Sequence, residues 1–419
     1  MEELYVQTGE QPAKTSWEFV LEGNAPYDEY ELGELSEGID FISEFWAKTY
    51  LDEYIKYGGS KMKFITGRRG SGKTHLMNMM SVLAKNKSYR IVRFSANDIW
   101  LHDFKEIYLE IARQCDIIQC LSECAERIVK NMGYDPGDIR EDEKFVDYLA
   151  RVGESNPITK REIRNQLKEM FWENPHMDNN FALACSHLTG ALLGHPALEQ
   201  QNQDLLLGWL YGDKTVRLLL LRALGLSPVR ITKYNARHML RSLAEVINKG
   251  GRSGLFVTID DMEVLADRSS LQPMRYTKMR REDTYESIRQ LIDEIDNMNN
   301  IMFLFGFDRE LIDNDSFGLK SYQALWMRIQ NEVVGERYNR FADIVDLDRA
   351  GKELYPPEGI VRMSEKLMRM ARERGKEAVP MTRARAEEFL QKSRISNIGI
   401  PLMVNKETLY GTPGGEQNV

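Results

Sequence analysis

Cysteine is scarce in this sequence: Cys115, Cys120, Cys124 and Cys185 are the only four in 419 residues. So few exclude a disulfide-built scaffold. Three of them cluster, and zinc has to be weighed. They lie within Ile111 to Val129, a stretch with helical apolar spacing and no obvious fourth ligand beside it, so they read as small apolar helix residues. Long apolar runs are also missing, and none approaches the roughly 18 residues a membrane span needs. The opening Met1-Glu2-Glu3-Leu4-Tyr5 is acidic and lacks the basic-then-apolar order of a signal peptide. These absences predict a cytoplasmic protein with no membrane partner. Net positive charge is lacking too. The formal net charge of −8 excludes a globally basic nucleic-acid coat.

That charge is unevenly spread. Met1 to Ser60 holds 14 acidic and 3 basic residues, whereas Glu358 to Arg394 holds 10 basic and 6 acidic. The basic segment reads as a phosphate-facing surface or as the solvated face of a helix.

The length suits two or three packed units. Residues 1–36 are polar and acidic and read as a tail or docking arm. Residues 37–100 read as the first part of an α/β core. They hold a helical pattern from Ile39 to Tyr57, a strand at Met62 to Thr66, a helix from His75 to Lys85 and a strand at Arg90 to Phe94. Residues 101–230 alternate helical patterns with polar breaks such as Glu154-Ser155-Asn156-Pro157, and read as a large helical insertion. Residues 231–350 read as the second part of the core. Asn235 is placed to cap a helix from Ala236 to Asn248, which Gly250 and Gly251 stop. Apolar strands follow at Leu255 to Ile259, Ile301 to Gly306 and Ile344 to Leu347, with a basic loop at Met274 to Arg281 and a helix from Thr284 to Met298 between them. Residues 351–398 read as a helical C-terminal lid, and 399–419 as a flexible tail. No internal repeat is visible.

The chemistry concentrates in three places. Gly67-Arg68-Arg69-Gly70-Ser71-Gly72-Lys73-Thr74 fits the phosphate-binding pattern G-x-x-x-x-G-K-[ST] (Walker A) without a mismatch. Its glycines let backbone N–H groups turn toward a β-phosphate, and the helix starting there adds the positive end of its dipole. Lys73 is expected to reach the β- and γ-oxygens of ATP, and the Thr74 hydroxyl to hold Mg²⁺. His75 follows on the helix and is grouped with the loop residues 67–74 as nucleotide-binding, although as a helix histidine it reads as buried rather than catalytic. Second, an acid ends an apolar strand in Ile259-Asp260-Asp261-Met262-Glu263, the Walker B arrangement. Asp260 is expected to bind Mg²⁺, while Asp261 and Glu263 compete to polarise the attacking water. Third, Asp308 in Gly306-Phe307-Asp308-Arg309 is the candidate polar sensor beside the γ-phosphate. Arg328 and Arg340, with Arg309 behind them, are candidate arginine fingers acting in trans. The cations Arg275, Lys278, Arg280 and Arg281 read as a plain exposed loop or as a contact to DNA or a partner.

The sequence resembles the P-loop ATP-binding proteins of bacteriophage exclusion (BREX) defence systems, over about residues 37 to 350. The likeness is carried by Phe64-Ile65-Thr66-Gly67 and the loop after it, Leu207-Gly208-Trp209-Leu210-Tyr211-Gly212, Leu221-Arg222-Ala223-Leu224-Gly225, Asp260-Asp261-Met262-Glu263 and Thr284-Tyr285-Glu286-Ser287-Ile288-Arg289. The resemblance implies an AAA+-like ATPase with ATP and Mg²⁺, working as a homo-oligomer or with other defence-system proteins, and double-stranded DNA is a candidate partner. The family usually has Glu where this chain has Asp261, which implies slower turnover. Two functions stay open: an ATPase that rearranges DNA or a partner, and a nucleotide-gated scaffold with little turnover.

Overall fold

The computed structural model describes residues 14–267, 274–329, 341–393 and 396–411, with the backbone alone at 352 and 353. Its sheet contains β1 (Ser60–Gly67), β2 (Tyr89–Ser95), β3 (Gly254–Asp260), β4 (Ile301–Asp308) and β5 (Ile344–Asp346). All pair in parallel, in the order β2-β3-β4-β1-β5, and helices cover both faces. The fold is therefore α/β, as expected.

The sandwiching explains why the strands are apolar at consecutive positions rather than at alternate ones. In β4, Phe303, Phe305 and Phe307 join one core cluster, with Phe104, Phe181 and Leu240 from the helices between β2 and β3. Met302 and Leu304 face the other way and join Trp46, Leu76, Ile360 and Val404. Between β2 and β3 the described residues form helices and no strand. Their four cysteines are buried and free. The Cys120 and Cys124 thiols donate to the Cys115 and Val246 carbonyls, each at 3.3 Å. Burial pushes the Cys120 thiol up to about 11, so these sulfurs pack rather than react. Among the described residues, no helix is long and apolar enough to cross a membrane.

Three local expectations are corrected. The stretch expected to fray contains the helix Ile400–Tyr410, with Leu402, Val404 and Leu409 buried. Pro401 sits in its first turn, where no N–H is needed. The described part of the acidic arm forms the helices Ser16–Leu21 and Glu29–Leu35. Its carboxylates and the adjoining Glu37 answer the basic C-terminal segment: Glu31 pairs with Arg374, Glu34 with Arg369, and Glu37 with both Arg362 and Lys366. The basic C-terminal segment thus spends these four cations on the chain's own N-terminus. Asn235 precedes the helix Ala236–Lys249 but does not cap it, because its side chain accepts from the Thr232 N–H at 2.7 Å. Finally, the basic stretch near 280 is not all loop. A helix starts at Lys278, capped by Thr277, and Arg281 is buried over the Phe317 ring.

Candidate functional site

Strand register brings the three predicted segments together. Gly67 at the end of β1 lies opposite Asp308 at the end of β4, and Ser95 at the end of β2 lies opposite Asp260 at the end of β3. The carboxyl ends of the strands therefore collect the loop and the acids on one edge, where ligands bind in open α/β sheets. The loop leads into the helix Lys73–Asn86, and Gly70 (φ +74°) and Gly72 (φ +97°) supply its left-handed turns.

Lys73 is nearly buried, and its ammonium sits over the loop. It donates to the Gly67 and Arg68 carbonyls at 3.2 Å each and to Asp308 Oδ1 at 2.5 Å. Thr74 Oγ1 donates to Asp260 Oδ2 at 2.6 Å. One hydroxyl and one carboxylate thus converge on the point where a hard, oxygen-seeking cation such as Mg²⁺ can be held with phosphate and water. Among the described residues, no three His, Cys, Asp or Glu side chains gather to hold a metal by themselves. The buried Ser71 hydroxyl has no hydrogen-bond partner among the described residues, and Asp260 carries a raised pKa through burial and then Asp261. An unmatched hydroxyl and an acid short of positive charge both fit a loop made for phosphate with a cation.

The two competing acids part company here. Asp261 occupies a left-handed backbone conformation (φ +61°), and its Oδ2 accepts from Ser95 Oγ at 2.6 Å. Glu263 points the other way, and its Oε2 accepts from the Asp308 N–H at 3.1 Å. Burial, with Asp308 adding, pushes the Glu263 carboxyl up to about 7. Glu263, Asp308 and Lys73 therefore form one connected group.

The other predicted residues lie as follows. Arg68 turns from the loop's mouth: its N–H and guanidinium engage Asp348, and the guanidinium also donates to the Ser393 and Ser396 carbonyls. The Arg69 carbonyl accepts from the Gly399 N–H at 2.9 Å, while the Arg69 side chain is exposed. His75 faces the N-terminal arm, with Nε2 2.9 Å from Ser36 Oγ. Burial and then Lys366 bring its pKa down to about 4, so it stays neutral and structural. Arg309 pairs with Asp313 and with Asp346 at the end of β5. Arg328 belongs to a distant cavity that it shares with Ser60, at the opposite end of β1, and it pairs with Asp293. Arg340 lies outside the described residues.

Sequence reasoning missed Ser95 and Gly399. A polar residue ending β2 was the available signal for Ser95, while nothing local marks Gly399. A Cβ on Gly399 would fall 2.4 Å from Ser71 Cα and 2.5 Å from Ser71 N. Backbone atoms in a tight loop cannot yield as a side-chain tip can. Gly399→Ala is therefore expected to displace the loop at a cost of about 1–3 kcal/mol. ATP titration should show affinity reduced by roughly 5- to 150-fold. Unchanged affinity would mean that the segment can move off the loop freely.

No curated protein and no solved structure matches the chain. The pattern of the BREX system ATP-binding protein BrxC/D family matches residues 48–399. That span runs well beyond residue 350, where the resemblance was expected to end, and it takes in the lid and Gly399. A match over most of the chain assigns the protein to the BREX system ATP-binding protein BrxC/D family.

Proposed function

We propose that this defence-system ATP-binding protein is an AAA+-like, Mg²⁺-dependent ATPase that passes its nucleotide state to assembly with other proteins of the system. The observation that carries the reading is the Thr74–Asp260 hydrogen bond of 2.6 Å, directly after the phosphate-loop lysine. The strand order supports it, because β1 and β3 flank β4 and hold loop and acid at one edge. In this reading the loop amides and Lys73 bind the phosphates, while Thr74 and Asp260 hold the ion. Bound Mg²⁺ neutralises phosphate charge. Glu263 accepts the proton of the attacking water, and Asp308 positions Lys73 and Glu263. An arginine from a neighbouring subunit is then expected to complete the site in a homo-oligomer.

One observation favours a second reading. The carboxylate next to Asp260 is already held by Ser95. A nucleotide-gated scaffold with little turnover would tolerate that. The test is ATP binding and hydrolysis by the purified chain, with Mg²⁺ and with EDTA, beside Asp260→Asn. Mg²⁺-dependent turnover that Asp260→Asn removes supports the ATPase. Tight binding without turnover favours the scaffold, and absence of ATP binding overturns both.

A further inference from the structure

Between Asp213 and Glu245 the chain contains no acidic residue and seven Lys or Arg, although its formal net charge is −8. Five of these cations, Lys214, Arg217, Arg222, Arg230 and Lys233, are exposed. Among the described residues none of the five is ion-paired with a carboxylate. The contrast within the molecule is direct, because the C-terminal cations Arg362, Lys366, Arg369 and Arg374 all meet Glu31, Glu34 or Glu37. The basic surface at 214–233 thus has no direct carboxylate pairing among the described residues, and Asp213 at its start is an acid in electrostatic range of Arg230.

Local structure gathers it. The Arg230 guanidinium donates to the Lys214 and Val216 carbonyls, which ties the later part of the segment back onto the earlier. Lys233 and Arg280 of the core both lie within electrostatic range of His102, as do the carboxylates of Asp103 and Asp283. Arg280 in turn stacks 4.4 Å from the Trp100 ring centroid. The strip is therefore residues 214–233 themselves, with Asp103 and Asp283 marking its limit toward the core.

We propose that this strip binds the phosphodiester backbone of duplex DNA. Exposed cations without carboxylate partners gain most from a polyanion, since each phosphate contact releases condensed counterions. A single strand is less suited, because it needs a row of aromatic platforms and the segment exposes only Tyr234. Leu219 and Leu220 are exposed beside Arg217 and Arg222, at 71% and 46%. They separate the proposal from its rival. An acidic protein segment would anchor on those leucines, whereas phosphates would not.

The test is fluorescence anisotropy with the full chain, without nucleotide, against a labelled DNA duplex and a matched RNA duplex across a salt series. Omitting nucleotide keeps the outcome independent of the ATP site. The combined Lys214→Ala, Arg217→Ala and Arg222→Ala variant is expected to bind duplex DNA roughly tenfold more weakly or worse. Its slope of log K against log salt should fall by about 2 to 3, at about 0.9 per lost phosphate contact. Leu219→Ser with Leu220→Ser should bind DNA as the parent does, and ATP affinity should hold in both variants. No DNA binding by the parent at low salt, or an unchanged slope in the alanine variant, would overturn the proposal. Loss of DNA binding in the leucine variant alone would overturn the assignment of binding to the cations. Tighter binding of the RNA duplex would overturn the choice of DNA.

Discussion

Lys73→Ala is expected to weaken ATP binding by at least two orders of magnitude. The ammonium is already committed to three oxygens: the Gly67 and Arg68 carbonyls and Asp308 Oδ1. An incoming triphosphate offers stronger acceptors to the same donor. A hydrogen bond to a charged group contributes about 1.5–3 kcal/mol, so losing two phosphate contacts costs about 3–6 kcal/mol. That converts to roughly 10²- to 10⁴-fold in affinity. Alanine also leaves Asp308 without its cation beside Glu263, adding negative charge where phosphate must arrive. Asp308→Asn separates the two effects. It keeps Lys73 while removing the competing carboxylate, and should leave ATP affinity equal or improved. Isothermal titration of the three proteins decides the matter. Unchanged affinity in Lys73→Ala would remove the phosphate-loop assignment.

The loop and the acid-tipped strand are legible in the sequence because each is a local pattern tied to a local backbone. Gly70 and Gly72 mark left-handed turns, and Leu255 to Ile259 marks a strand covered on both faces. Asp308 is legible by its place after a third such strand. What stays hidden depends on contacts far apart in sequence. Nothing near Gly399 announces that its α-carbon packs against Ser71. The acidic start and basic lid are each visible as composition, but their pairing is visible only once Glu31, Glu34 and Glu37 lie along the helix Pro357–Glu373 and its C-cap Arg374. Asn235 shows the reverse failure. Its type and place fit a helix cap, yet the Thr232 N–H claims the side chain first.

The contest between Asp261 and Glu263 also turns on contacts the sequence cannot rank. Position alone favours Asp261, which directly follows the metal-binding candidate. The left-handed backbone at Asp261 swings its carboxylate to Ser95, while the short helical turn Met262–Leu265 carries Glu263 to Asp308. Glu263→Gln is therefore expected to cut kcat by about 10²- to 10⁴-fold, the usual contribution of a general base. ATP affinity should change little, because the amide preserves shape and can still accept the Asp308 N–H. Asp261→Glu, by contrast, should leave kcat within a few-fold, since lengthening a carboxylate held by Ser95 does not bring it to the water. The pH dependence adds an independent check. Burial holds the Glu263 carboxyl at about 7, so the group is protonated below that pH and a base above it. kcat/KM, which reports ionisations of the free enzyme, should rise as pH passes through about 7 and then level off. Glu263→Gln should erase that rise. If Asp261→Glu instead raises turnover tenfold while Glu263→Gln leaves rate and pH profile intact, the base is Asp261, and the Ser95 contact belongs to the resting state alone.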